Sequence, residues 1–295
     1  MNGPQAGLLP DGRRLHLNHG PIDLIIEAFG EMGEVREAYS QATARFQTIL
    51  GELVEELPAL RSAASPRPRA FQGSTAQRMK AAVSPLADRS FITPMAAVAG
   101  SVADEMLAAM LAGRTLDRAY INNGGDSALY LASGWSMRLA IAGTGKGFAD
   151  RIVIRAEDLV RGVATSGWRG RSFSLGIADA VTVLARTGAG ADAAATIIAN
   201  AVDLPGHSAI RREKARALAP DSDLGDRLVT TGVGVLSEAE VAEALDRGSA
   251  DAEELRQRGL IQAAALFLNG DARICGHVLA KTLRSKVLEG ELVHG

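Results

Sequence analysis

Apolar positions along the chain change their period from one segment to the next, and the changes outline the elements. Residues 21–29 (PIDLIIEAF) hold an apolar cluster at Leu24, Ile25 and Ile26 and predict a strand running into a turn at 30–33. From 34 to 63 the period becomes helical. Phe46, Ile49, Leu50, Val54, Leu57 and Leu60 recur at three- and four-residue steps, and Pro58 would kink or end that helix. Residues 94–112 (PMAAVAGSVADEMLAAMLA) predict a second helix of small and apolar residues, with Pro94 in its first turn. A helix apolar on nearly every face is expected to be buried.

From 118 to 185 the pattern turns to short strands, at 119–122, 127–132, 137–142, 151–155, 162–165 and 180–185. Glycine-rich turns between several of them predict hairpins, hence an antiparallel sheet. A helix is expected over 191–202, helical stretches over 210–218, 237–245 and 251–266, and strands over 227–235 and 274–280. Residues 11–20 read as polar turn, and 65–75 (SPRPRAFQGST) as a solvated connection. Helices on either side of a run of strands predict an α+β fold, antiparallel sheet packed with helices. With no linker inside the strand-rich half, one domain over 1–295 is expected.

Composition narrows the function classes only slightly. The chain has 295 residues, 47% hydrophobic, with a formal net charge of -2. That balance gives no global argument for nucleic acid or an anionic membrane as partner. Cys275 is the lone cysteine, which excludes an intrachain disulfide and suits a reducing cytoplasm. The first ten residues lack a signal-peptide pattern, and no segment reads as the roughly 20 apolar residues of a membrane span. A cytoplasmic protein, monomeric or homo-oligomeric, is the expectation.

Three segments could carry chemistry, each with a plainer reading. At 121–126 (INNGGD) a strand ends at Asn123, Gly124 and Gly125, where backbone could approach a ligand, or simply turn. At 164–175 (ATSGWRGRSFSL), Thr165, Ser166 and Gly167 could receive phosphate oxygens while Arg169 or Arg171 neutralises charge; a polar surface hairpin is the alternative. At 191–196 (ADAAAT), Asp192 and Thr196 stand four apart and would share a helical face, fit for a hard cation such as magnesium; Asp192 as a helix cap is the alternative. The GTGKG run at 143–147 departs from a phosphate loop and predicts a hairpin turn. His16, His19, His207, His277 and His294 show no zinc spacing.

The order TPMAAVAGSVAD, INNGGD, ATSG, AVTVLA, ADAAAT resembles the ApbE superfamily, and runs such as SLGIADAVTVLA and AVDLPGH are similar to an uncharacterised branch of it, over about residues 19–270. The resemblance implies an ApbE-like (T-fold-like) architecture. For the flavin transferase group it implies binding of FAD with Mg2+, and transfer of FMN to a protein threonine or cleavage of the pyrophosphate. It places metal ligands at Asp192 and Thr196, with a backbone carbonyl at Ala96 or Ala97. FAD or FMN contacts fall to Asn123, Gly124, Gly125, Thr165, Ser166 and Gly167. Thr93, Met95 and Ala99 stand where the family carries acidic, glycine and lysine residues, and Phe173 and Ser174 replace its histidine and Asp-Pro. Those departures leave two alternatives open, a non-catalytic flavin or small-molecule binder and an enzyme acting on another metabolite. Asp126 and Asp179 are the candidates for a general base.

Overall fold

The computed structural model describes residues 3–65, 69–88, 90–140 and 151–276. The first half runs β1 (Gln5–Leu8), β2 (Leu15–His19), β3 (Ile22–Phe29), α1 (Met32–Glu55), α2 (Leu57–Leu60), α3 (Ser74–Val83), α4 (Val98–Leu111), β4 (Arg118–Asn123) and β5 (Asp126–Leu131). The second runs β6 (Ser136–Ala140), β7 (Arg151–Arg155), β8 (Gly162–Ser166), β9 (Ala180–Ala185), α5 (Gly188–Ala201), β10 (Ile210–Lys214), α6 (Ala215–Leu218), β11 (Leu228–Val233), α7 (Glu238–Gln257), β12 (Ala263–Leu268) and β13 (Asp271–Cys275). The architecture is α+β, antiparallel sheet packed with helices, as the alternation of patterns implies.

The chain divides into two compact units, each assembled from separate stretches. Unit 1 takes Met1–Met137, Arg155–Ala164 and Ala185–Ala193; unit 2 takes Arg138–Ile154, Thr165–Leu184 and Ala194–Gly295. In unit 1, β1 to β5 pair antiparallel in chain order, and the start of β8 joins β5 through Val163 opposite Ser127. Period-two alternation puts Leu15, Leu17, Leu24, Ile26, Ala119, Ile121 and Ala128 into the core. Registers such as Leu17 opposite Leu24 and Ile26 opposite Ile121 align them. Helix α1 supplies Ala38, Ala42, Phe46, Ile49 and Leu53 at helical spacing, and α4 supplies Val102, Met106 and Met110. The expected first helix ends at Glu55, with Pro58 in the short α2 that follows.

Pro94–Leu111 is the one stretch among the described residues long and apolar enough to cross a membrane, against the expectation of none. Half of it is buried, and its Glu105 rules the face it shares with α1 and α3. Glu105 accepts from Arg45 Nε at 2.9 Å, Arg78 Nε at 2.8 Å and Ser74 Oγ at 2.5 Å. Arg45 in turn holds both oxygens of Glu52. A charge left among apolar neighbours is costly unless so paired, and this pairing marks a core helix.

In unit 2, β12 lies between β9 and β13, antiparallel to both. All six residues of β12 are buried, and α7 packs over β12 and β13. Helix α7 opens on a capping box between Ser237 and Glu240. Glu240 also contacts His207 Nε2 at 2.8 Å. The Ser237 amide, then His207, then the Ser237 hydroxyl hold the Glu240 carboxyl down from 4.5 to about 2.

Several expectations are corrected. Residues 210–218 form β10 and the single turn α6, because Ile210 to Lys214 pair with β11. Residues 237–245 and part of 251–266 form one helix, which ends where Gly259 takes φ +72°; 263–268 is strand β12. A strand buried on both faces shows no alternation, so AAALFL passes for helix. Residues 11–20 contain β2, and 65–75 runs into α3 at Ser74. The 143–147 run, most of the expected 274–280 strand, His277 and His294 lie outside the described residues.

One glycine and one acid are open to test. Gly51 on the exposed side of α1 has nothing near its missing Cβ, so Gly51→Ala should stabilise by about 0.5–1 kcal/mol in denaturant titration. Glu240 contributes stability that is present above pH 4.5 and lost as pH falls toward 2; Glu240→Gln should flatten the fall in Tm across that window.

Candidate functional site

The centre of unit 1 is a crossing of helix starts. Two glycines let backbone touch backbone there: a Cβ on Gly100 would lie 2.2 Å from the Gly188 carbonyl oxygen. The first amides of a helix have no partner inside it; at the crossing Thr187 Oγ1 takes only the Gly190 amide of α5, at 3.0 Å, and α4 has no side-chain cap of its own. Helix α4 begins after Ala97, which has no capping side chain. Instead Asp192, on α5, accepts from the Gly100 amide at 3.0 Å. In exchange Asp104, on α4, accepts from the Gly188 and Ala189 amides at 2.8 Å each. Each helix therefore caps the other, and each carboxylate faces the positive end of a helix dipole.

The β4–β5 hairpin closes on the same place. Gly124 and Gly125 take φ +65° and +118° in its two-residue turn, and Asn123 pairs with Asp126 across it. Asn123 is buried and donates its side-chain amide to the Ala99 carbonyl at 3.1 Å. Loss of water pushes the Asp192 carboxyl well above the ordinary carboxylate value, and the nearby Asp126 charge pushes it further, against the Gly100 and Ala99 amides. Desolvation likewise raises Asp104, partly offset by its two amide donors.

Ala96 lies in the turn Pro94–Ala97 that leads into α4. Thr196 follows Asp192 by four residues on α5, and both are half-buried; Asp192 belongs to unit 1 and Thr196 to unit 2. The remaining residues singled out from the sequence belong to unit 2. There Thr165 Oγ1 lies 2.8 Å from Thr182 Oγ1, and Ser166 is half-buried. Gly167 is pressed against the backbone of 178–179, where a Cβ would meet the Asp179 carbonyl oxygen at 2.5 Å. Asp179 accepts from Arg169 Nε at 2.6 Å, Trp168 Nε1 at 3.3 Å and the Asn269 amide at 2.7 Å. Arg171 is exposed, with no hydrogen bond or ion pair among the described residues.

Sequence reasoning missed Asp104 and the pairing of Asp126 with Asp192. The signal for Asp104 was a pair of adjacent acids, Asp104 and Glu105, in an otherwise apolar helix; its distant partner was invisible. Among the described residues no group of three or more His, Cys, Asp or Glu side chains is arranged to hold a metal. What unit 1 offers a hard cation is the Asp192 carboxylate with the Asp126 charge close by. The Asp126 charge repels that of the desolvated Asp192, a divalent ion would relieve the repulsion, and carboxylate oxygens are donors of the kind magnesium takes.

The crossing generates its own tests. Gly100→Ala should cost about 3 kcal/mol by overpacking. Asp104→Ala, which leaves two amides without a partner, should cost about 2–4 kcal/mol, and Asp104→Asn, which keeps one acceptor, clearly less. Urea unfolding measures both.

A family model described as AbpE bacteria matches residues 6–274. A UPF0280 protein of Methanoregula boonei is 35% identical over 147 residues, 48% of this chain and 60% of that one. Another, of Methanothrix thermoacetophila, is 39% identical over 113 residues, 38% of this chain and 46% of that one. The chain thus spans about half the length of these relatives. The solved Pseudomonas stutzeri flavinyl transferase ApbE, apo form, aligns over 95% of both chains at 12% identity, with a TM-score of 0.44. With nearly its whole length matched by one family model, the chain belongs to the AbpE bacteria family.

Proposed function

We propose that the protein binds FAD or a related dinucleotide together with Mg2+, and that it transfers the FMN part or cleaves the pyrophosphate. The observation that carries this reading is the carboxylate pair at the helix crossing, Asp192 with Asp126 close enough to raise it, in surroundings poor in water. Asp192 caps α4 without help from Asp126, which is half-buried at the start of β5 and would gain nothing from lying near it; a cation gives the arrangement a use. Asp192, Thr196 and the Ala96 carbonyl are the ligands in this reading. The metal, when bound, supplies charge neutralisation on the pyrophosphate oxygens.

The chain's own groups do the rest. Asn123, Gly124 and Gly125 offer a turn that admits close backbone approach, and Asn123 fixes it to the start of α4. Thr165, Ser166 and Gly167 position phosphate or flavin in this reading. Of the two arginines, Arg171 has no ion pair among the described residues, whereas Arg169 is paired with Asp179. Asp179 also favours a second reading, binding without turnover: it already accepts three hydrogen bonds, which makes it a poor general base.

Calorimetric titration with FAD, with and without Mg2+, followed by product analysis, tests both. Asp192→Asn keeps an acceptor for the Gly100 amide and removes the charge. It should fold like the parent but lose the Mg2+-dependent part of FAD affinity, by about tenfold or more. Equal titrations for the two proteins would remove the metal from the reading. FMN and AMP as products support the enzyme; intact FAD supports the binder.

A further inference from the structure

Asparagine precedes glycine at 2–3, 123–124 and 269–270. The fold treats the second and third of these pairs in opposite ways. Asn123 is buried, and its side-chain amide is committed to the Ala99 carbonyl at 3.1 Å. Asn269 is exposed, and its side chain makes no hydrogen bond among the described residues. Asn269 and Gly270 are the two residues between β12 and β13, whose ends pair Leu268 with Asp271. They take φ +51° and +89°, and Asn269 is the lone non-glycine residue with positive φ among the described residues. A two-residue hairpin loop with positive φ at both positions favours asparagine followed by glycine.

The turn that needs this dipeptide also leaves it open to reaction. Gly270 has no side chain to shield its amide nitrogen, and nothing lies within 4 Å of the place a Cβ would take. That amide donates no hydrogen bond among the described residues. It is free to act on the neighbouring side-chain carbonyl carbon, Asn269 Cγ, which no packing covers.

We infer that Asn269 is a site of intramolecular deamidation, with water as the co-reactant. The Gly270 nitrogen gives its proton to water and bonds to Asn269 Cγ. The Cγ–Nδ2 bond breaks, ammonia leaves, and a cyclic imide remains. Water then opens the ring. Hydrolysis at Cγ yields aspartate on an ordinary backbone; hydrolysis at the α-carbonyl yields isoaspartate, in which the chain runs through the side-chain carbons. No oxidant, metal or nucleotide takes part, so the inference stands apart from the proposed function.

The surroundings give the change a consequence. Asp179 accepts from the Asn269 main-chain amide at 2.7 Å while it holds the Trp168 indole and the Arg169 guanidinium. Either product adds a negative charge near that carboxylate, and like charges repel. Isoaspartate also lengthens the backbone of a turn whose register leaves room for two residues. Modification at 269 therefore weakens the tie between this turn and the loop after β8.

Prolonged incubation of the folded protein in mildly alkaline buffer, followed by peptide mapping with mass spectrometry and enzymatic methyl labelling of isoaspartate, tests the inference. Residue 269 should lose its amide at least about tenfold faster than residue 123, because reaction at 123 waits for a buried segment to open. In urea the difference should collapse. Asn269→Gly keeps the positive φ and has no amide to lose, so its Tm should hold through the incubation while the Tm of the parent falls. Retention of the amide at 269, a preference for 269 over 123 that is absent in the folded protein or survives in urea, or an equal fall in Tm for parent and Asn269→Gly, overturns the inference.

Discussion

Everything in unit 1 depends on two helix starts being allowed to touch. Side chains keep packed helices about 8–10 Å apart; glycine at 100 and at 188 removes that barrier at one point. Close approach creates a problem of its own, because two sets of unpartnered amides then sit where water is scarce. Asp104 and Asp192 solve it crosswise, each satisfying the opposite helix. The arrangement is self-consistent only as a whole: without the glycines the acids cannot reach, and without the acids the amides stay unpaired.

The same arrangement gives the site its electrostatic character. A carboxylate held by amides favours its charged form, yet burial and Asp126 win at Asp192 and raise it. Asp104, with two amide donors and no acid as close a rival, is raised by burial alone. Two acids in equivalent structural roles thus differ in their electrostatic surroundings. In unit 2 the contrast is between arginines: Arg169 is engaged by Asp179 and Trp168, Arg171 by nothing among the described residues.

Much of the architecture was legible because most elements bury one face. An apolar cluster found β3, short strand runs between glycine-rich turns found β4 and β5, and three- and four-residue steps found α1, whose Phe46 and Ile49 line the core. Legibility failed where that asymmetry was missing. Strand β12 is buried on both faces and so mimics helix, and β10 owes its state to pairing with β11 rather than to its own residues. At the site, motif order located Asp192, Asn123 and the 165–167 turn. It could not show that Asp192 serves Gly100, ninety-two residues away, or that Arg169 serves Asp179. Those facts are tertiary, carried by residues that look ordinary in one dimension. The expected linker at 65–75 likewise concealed the start of α3, whose Ser74 contacts Glu105.

Unit 1 is stitched from three stretches of chain, the last of them ending at Ala193. During synthesis the first 137 residues leave the ribosome with β5 lacking its β8 neighbour and α4 lacking Asp192 at its start. The open sheet edge must therefore persist until β8, Gly162–Ser166, has emerged, and the bare helix end until Asp192 has. Such an edge is a template for pairing with other chains. The nascent protein is most exposed to misassembly during this interval, and holding factors that act on emerging polypeptides would have their greatest effect on yield there.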